Sequence, residues 1–302
     1  MIECGKVIVG CYNLYMSAFQ PISSLQNQRI KNVVRLNTRR HRDQLRQTVV
    51  EGVREASLAL QKGFLPIEAF VCMDYLDSSA EQNLVNQLNQ LAAGKRTRLY
   101  EVTPAVYDKM AYRGGSGGVL LVIPYTTNTL EDLPVEGNPL FAVVDGAEKP
   151  GNLGAILRTA DAAGLNALLL TGAEGQGTDI HNPNVIRASL GTFFTVPVVT
   201  TTMKKALSWL QKNHIMIVAT TPDAERLYTA VSYTGPTAVV MGSESSGLSR
   251  EWLEAAEVLV QIPMSGEVDS LNLSVSTALV LYEALRQRNS MSPGSALSGI
   301  DA

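Results

Sequence analysis

From Leu140 onward, short apolar runs alternate with longer mixed segments. The runs lie at 140–144, 167–171, 195–199, 215–219, 237–241 and 258–262. They are rich in Val, Ile and Leu, as strands buried on both faces are, and helical spacing fills most of the gaps. The second half is therefore predicted as an α/β domain with a largely parallel sheet. Its last run leads into IPMSGEVDSLNLSVSTALVLYEALRQR, residues 262–288. Gly266, Asp269 and Ser270 are turn formers, and Asn272 stands where an N-cap belongs. Val275, Ala278, Leu279, Tyr282 and Leu285 then recur at helical spacing. A polar loop is thus delivered to the carboxyl end of a strand, where open α/β sheets bind small molecules.

The first half reads as a smaller α/β unit. The periodicity predicts a helix over Gln47–Gln61, carried by Val49, Val53, Ala56 and Leu60, and a second over Glu81–Ala93. Strands are predicted at Ile67–Cys72, Arg98–Val102 and Val119–Ile123. The RGGSGG stretch, residues 113–118, precedes a strand, whereas a phosphate cradle needs a helix whose free N–H groups face the anion, so it is read as a turn. These elements set the boundaries: an extension over 1–20, a domain over 21–125, a Thr-, Pro- and Gly-rich linker over 126–139, the main domain over 140–288, and a disordered Ser- and Gly-rich tail over 289–302.

Composition sharpens this division. A chain of 302 residues suits two domains, and 45% apolar residues supply a substantial core. The net charge of −3 conceals a basic stretch. Arg29, Lys31, Arg35, Arg39, Arg40, Arg42, Arg46 and Arg54 face only Asp43, Glu51 and Glu55 there, which suits an anionic partner. Cys4, Cys11 and Cys72 are too few and too scattered for a disulfide frame or a zinc site, so a reducing, cytoplasmic setting and no metal are expected. Residues 1–20 fit neither a signal peptide nor a membrane span.

Three loops of the second half, each after a strand, carry unusual chemistry. In DGAEKPGNLGAILRTADAAG, residues 145–164, Gly151 and Gly154 permit tight turning, Asn152 is a capping residue, and Arg158 lies within an apolar helix. In MGSESSGLS, residues 241–249, two glycines flank Glu244. The third is the loop before Asn272. In this order the three loops resemble the signature motifs of the SpoU/TrmH family of RNA 2′-O-ribose methyltransferases, in the SPOUT superfamily. The intervening TDIHNPNVIRASLGTFFTVPV is also similar to that family. Upstream, RIKNVVRL and VVEGVREASLAL resemble the substrate-binding domain that many members carry. Lys149 before Pro150 departs from the usual acidic residue.

The resemblance implies a deep trefoil knot, S-adenosylmethionine as cofactor, and a homodimer whose active site uses both subunits. It assigns Gly242, Ile262, Met264, Leu271 and Leu273 to the cofactor, and Asn152, Arg158, Glu244, Ser270 and Asn272 to the catalytic set. Arg29, Arg35, Arg39 and Arg40 are then candidate RNA contacts, with ribosomal RNA the first expectation and transfer RNA the second. No histidine lies in the three motifs, which argues against a histidine base and leaves Arg158 to position the target and activate its hydroxyl. A dinucleotide-dependent dehydrogenase is disfavoured because Gly151, Gly154 and Gly164 miss the G-x-G-x-x-G spacing. An inactive RNA-binding protein of the same fold is disfavoured by the intact polar set.

Overall fold

The computed structural model describes residues 19–112, 117–146, 149–172, 179–243 and 246–290. Two compact units emerge. Among the described residues, one holds those up to 126 together with 181–194, and the other holds those of 127–180 and from 195 onward.

The first unit runs β1 (Phe19–Ile22), α1 (Gln28–Arg35), α2 (Arg39–Leu45), β2 (Gln47–Glu51), α3 (Val53–Gln61), β3 (Glu68–Val71), α4 (Ser79–Ala93), β4 (Arg98–Val102), α5 (Pro104–Met110) and β5 (Val119–Pro124). Its sheet has the order β1-β4-β3-β5-β2, with β1, β4 and β3 parallel and β5 antiparallel to both neighbours. The helix expected over 47–61 is divided. Thr48, Val49 and Val50 are β-branched and pair with Ile123, Val122 and Leu121, and Gly52 at φ 109° breaks the chain before α3 begins. The expected extension over 1–20 also loses its end, because Phe19 and Gln20 already pair with Leu99 and Tyr100. Residues 1–18 lie outside the described residues, as does the tail from 291. Helix α4 starts with a capping box in which Ser78 and Glu81 satisfy each other's backbone N–H. Ile30, Val33, Phe70, Tyr100, Tyr107 and Leu120 belong to the unit's core.

The second half contributes β6 (Leu140–Asp145), α6 (Pro150–Ala162), β7 (Ala167–Gly172), α7 (Pro183–Ala188), β8 (Val198–Thr202), α8 (Met203–Lys212), β9 (Met216–Thr220), β10 (Arg226–Leu227), β11 (Thr237–Met241), α9 (Arg250–Ala255), β12 (Val258–Gln261) and α10 (Leu273–Ser290). Apart from α7, these form the second unit around a seven-stranded sheet of order β10-β12-β9-β11-β6-β7-β8. Every pairing in it is parallel. Near-continuous apolar strands were the signal for this, and Phe141, Val143, Leu169, Ile217, Ala238 and Val240 bury one face accordingly. Strand β8 starts three residues later than its apolar run suggests. Pro197 has no N–H to give the ladder, and pairing opens at Val198 opposite Leu168.

Two segments behave unlike their composition. The stretch expected as a linker is anchored, since Leu130 and Leu133 are buried in the second unit's core around a turn of 3-10 helix, Leu130–Asp132. Residues 181–194, expected within the second domain, pack with the first. Thr48 donates its hydroxyl to the His181 carbonyl at 2.6 Å, and Phe194 lies 5.0 Å from the Phe64 ring. The His181 ring stacks on Tyr125 at 3.6 Å with Arg46 over the same tyrosine at 4.9 Å. Burial pushes the His181 imidazole down to about 4, so it sits there neutral.

Helix α10 is fastened at its far end. Arg288 donates to the carbonyls of Tyr233 at 2.9 Å, Gly235 at 2.7 Å and Asn138 at 2.6 Å. Its buried face is Leu273, Thr277, Val280, Leu281 and Ala284. The stripe that announces the helix in the sequence faces outward instead, with Val275 47% and Tyr282 50% exposed.

Candidate active site

Strands β9, β11 and β12 are neighbours and parallel, so Thr220, Met241 and Gln261 end side by side. Their loops enclose a cavity of about 320 Å³, within the range of small-molecule pockets. Its walls include Gly242, Ile262, Met264, Leu271 and Leu273, the five residues assigned to the cofactor from sequence, together with Ser270. The floor and rim are mixed in character. Met241, Ile262, Leu271 and Leu273 offer apolar surface, while Thr220, Thr221, Ser243, Asp269 and Ser276 offer polar groups.

Gly242 has a cause that lies in the chain itself. Ser243 and Gly247 exchange two backbone hydrogen bonds, at 3.1 and 3.0 Å, which folds this loop back over residue 242. A Cβ there would stand 2.2 Å from the Gly247 carbonyl carbon. The glycine is required by this close approach before any ligand is considered. Gly247 itself sits at φ 65°, where glycine is the unstrained choice.

The polar set divides into three groups. Asn272 caps α10, accepting from the Ser274 N–H at 2.9 Å through its side chain, and its amide donates to Asn152 Oδ1 at 3.1 Å. The first and third motif loops therefore meet beside the cavity wall formed by Leu271 and Leu273. Ser270 lines the cavity. Arg158 does not: it is exposed on α6 and makes no hydrogen bond or ion pair with the described residues. The helical step explains this, because six residues beyond Asn152 is about 240° around the helix, away from α10. Glu244 lies outside the described residues.

Thr220, Thr221, Pro222 and Ser276 were not anticipated. The Thr220 hydroxyl is screened from solvent and has no hydrogen-bond partner among the described residues, although the residue itself lines the cavity. The TTP run after an apolar strand was visible in the sequence. The strand order that sets β9 between β11 and β12 was not.

The basic stretch of the first unit is partly structural. Arg42 is 1% exposed and donates to the Leu36 carbonyl at 2.7 Å. Arg29 pairs with Glu68 at 2.6 Å and lies over Tyr100. Arg39 pairs with Asp43 at 3.5 Å while remaining exposed. Arg35 and Arg40 are exposed.

Relatives of known type share this architecture. The SpoU rRNA Methylase family matches residues 139–282, and an MRM3-like substrate binding domain matches residues 27–120. The 23S rRNA (guanosine-2′-O-)-methyltransferase RlmB of Pseudomonas aeruginosa is 36% identical over 68% of this chain and 84% of its own length. The protein of the same name from Ralstonia nicotianae is 40% identical over 51% of this chain, a match that spans 61% of that relative. Among solved structures, an RNA 2′-O ribose methyltransferase superposes with a TM-score of 0.76 at 41% identity, over 89% of this chain and all 100% of its own. An AdoMet-bound rRNA methyltransferase from Sinorhizobium meliloti gives 0.80 at 28% identity, over 89% and 98%. With both halves matched and a relative 36% identical over 84% of its own length, the chain belongs to the SpoU rRNA methylase family.

Proposed function

We propose that this chain transfers a methyl group from S-adenosylmethionine to a ribose 2′-hydroxyl of ribosomal RNA. The observation that carries the reading is the convergence of Gly242, Ile262, Met264, Leu271 and Leu273 on one cavity at three parallel strand ends. Ile262, Leu271 and Leu273 suit the adenine faces, and the backbone of Gly242, Ile262 and Leu271 suits its polar edge. When bound, the cofactor supplies an activated methyl group. The protein's share is to hold the attacking oxygen in line with it and to help that hydroxyl lose its proton.

Asn152, Glu244, Ser270 and Asn272 form the polar side of the reaction centre. Arg158 is its cation. A guanidinium stays protonated, so it acts by holding the target phosphate and stabilising the developing alkoxide rather than by taking the proton. Because Arg158 faces away from its own chain's cavity wall, it serves the cavity of a second subunit. The outward stripe of α10 supports that homodimer, since Val275, Ala278, Leu279 and Tyr282 with Tyr228 line an open apolar groove that a second copy would cover. The path of α10 from β12 back across the sheet to α6 fits the family's trefoil knot. Arg35, Arg39 and Arg40 contribute phosphate contacts, with Arg29 partly engaged by Glu68, and the work is done in the cytoplasm.

The test is calorimetry with S-adenosylhomocysteine, followed by transfer of labelled methyl to a 23S rRNA transcript and mapping of the alkali-resistant linkage. Stoichiometric binding and one resistant position are expected. Absence of binding would overturn the reading, and binding without transfer to rRNA would move the substrate elsewhere.

A further inference from the structure

We propose that Tyr112 and Arg187 form a stacking platform for an unpaired base of the RNA, a proposal that rests on the RNA-methylating reading above. Both residues belong to the first unit. Tyr112 follows α5 and is 55% exposed, the most exposed aromatic ring among the described residues. Such exposure wins little for folding. Yet its backbone is anchored and its ring is covered on one face. Its backbone N–H donates to Glu51 Oε2 at 2.8 Å, and Glu51 is a buried carboxylate at the end of β2. One face is covered by the Arg187 guanidinium, 4.7 Å from the ring centroid.

Arg187 is itself positioned. It lies in the last turn of α7, and its Nη2 donates to Asn184 Oδ1 at 2.8 Å. Asn184 is fixed in turn by its N–H, which donates to Asn182 Oδ1 at 2.9 Å. The remaining Nη1 is screened from water and has no hydrogen-bond partner among the described residues. The ring is therefore what this end of the guanidinium faces, a cation–π contact strengthened by desolvation.

An exposed aromatic ring backed by a cation on one face is an arrangement by which proteins hold unpaired bases. Every base has a π-face, so the contact is tolerant of sequence. Paired RNA keeps its bases stacked on one another and offers the ring nothing. The platform thus selects single-stranded or looped RNA and orients it, while the methyl-transfer chemistry lies in the other unit.

The experiment uses the full chain and a mixed-sequence single-stranded oligoribonucleotide carrying 2-aminopurine, with a fully paired RNA duplex as the second probe. Tyr112→Ala is expected to weaken single-strand binding roughly five- to a hundred-fold, as loss of one base stack does. It should also abolish the quenching of 2-aminopurine on binding, with the salt slope unchanged because no phosphate contact is lost. Tyr112→Phe keeps the stack and should restore both signals. Duplex affinity, the melting temperature and S-adenosylhomocysteine binding should be equal in all three proteins. Wild-type affinity and quenching in Tyr112→Ala, equal losses on single strand and duplex, or no oligonucleotide binding by the wild type would each overturn the platform. If the wild type still binds S-adenosylhomocysteine, the methyltransferase reading survives that failure; if it does not, both fall.

Discussion

Both units present three parallel strands whose carboxyl ends lie together, yet the cavities there differ about two-fold in volume. In the first unit β1, β4 and β3 end at a depression of about 160 Å³ whose lining includes Asp74 and Glu101. In the second, β9, β11 and β12 end at the larger, mixed-character cavity. The difference lies in the connections that leave the strands. After β4 the chain enters α5 almost at once, with Pro104 in its first turn, and after β3 a turn of 3-10 helix begins at Met73. After β11 and β12 the chain instead doubles back, Gly247 over Gly242 and residues 262–272 across the strand ends. Strand ends alone do not make a site: connections long enough to return over them do. In the first unit Arg35, Arg39 and Arg40 are exposed, whereas Arg42 is buried and Arg29 pairs with Glu68.

The comparison can be broken first at the chemistry of the second unit. Arg158→Ala should lower methyl transfer by roughly 100- to 1000-fold, the loss typical of removing one group that stabilises developing charge. S-adenosylhomocysteine affinity by calorimetry should stay within a few fold. Near-normal turnover would remove the role given to Arg158.

The enclosing loop comes next. Gly242→Val forces a side chain against the Gly247 backbone, so we expect a destabilisation of about 3 kcal/mol by denaturant unfolding, with loss of S-adenosylhomocysteine binding. Lost binding at full stability would mean that this glycine answers to the ligand alone.

In the first unit the corresponding weak point is His181. Its folded pKa of about 4 lies below the ordinary 6.5, so between those values the unfolded chain binds the extra proton. Stability is therefore full above about pH 6.5 and falls as pH drops toward 4, by up to about 3 kcal/mol. His181→Phe keeps an aromatic ring against Tyr125 and should flatten that part of the pH profile. An unchanged slope would assign the acid sensitivity to other groups.

The smallest effect is expected at the open surface. Replacing Arg35, Arg39 and Arg40 by Ala should weaken RNA binding on the order of ten-fold and flatten the salt slope by roughly 2, at about 0.7 per phosphate contact on a single strand. Cofactor affinity should not change. Retained affinity and slope would leave this face as a solvated surface only.

The parallel sheet was legible because its strands are buried on both faces and read as unbroken apolar runs. The five cavity residues were found through the order of three motifs and not through any local property, since Ile262, Leu271 and Leu273 alone resemble core residues. What stayed hidden depended on partners distant in the chain. Val49 and Val50 fit a helix until β5 is beside them, and Thr220 is an ordinary strand end until β11 and β12 flank it. Arg42 counts as surface charge in the sequence but ends up inside, bonded to Leu36. Val275 and Tyr282 mark the helix correctly and mislead about which side of it is covered.

Residues 181–194 make the two units inseparable as genetic parts. A fragment beginning at Leu140 would carry Val185, Ile186, Phe193 and Phe194, buried residues of the first unit, without the rest of that unit. A fragment ending at Thr126 would lose α7 and the His181 ring against Tyr125. Exchange of one unit between relatives by simple splicing at 126–139 would therefore break the fold in both daughters, unless the donor's own 181–194 segment travels with its first unit.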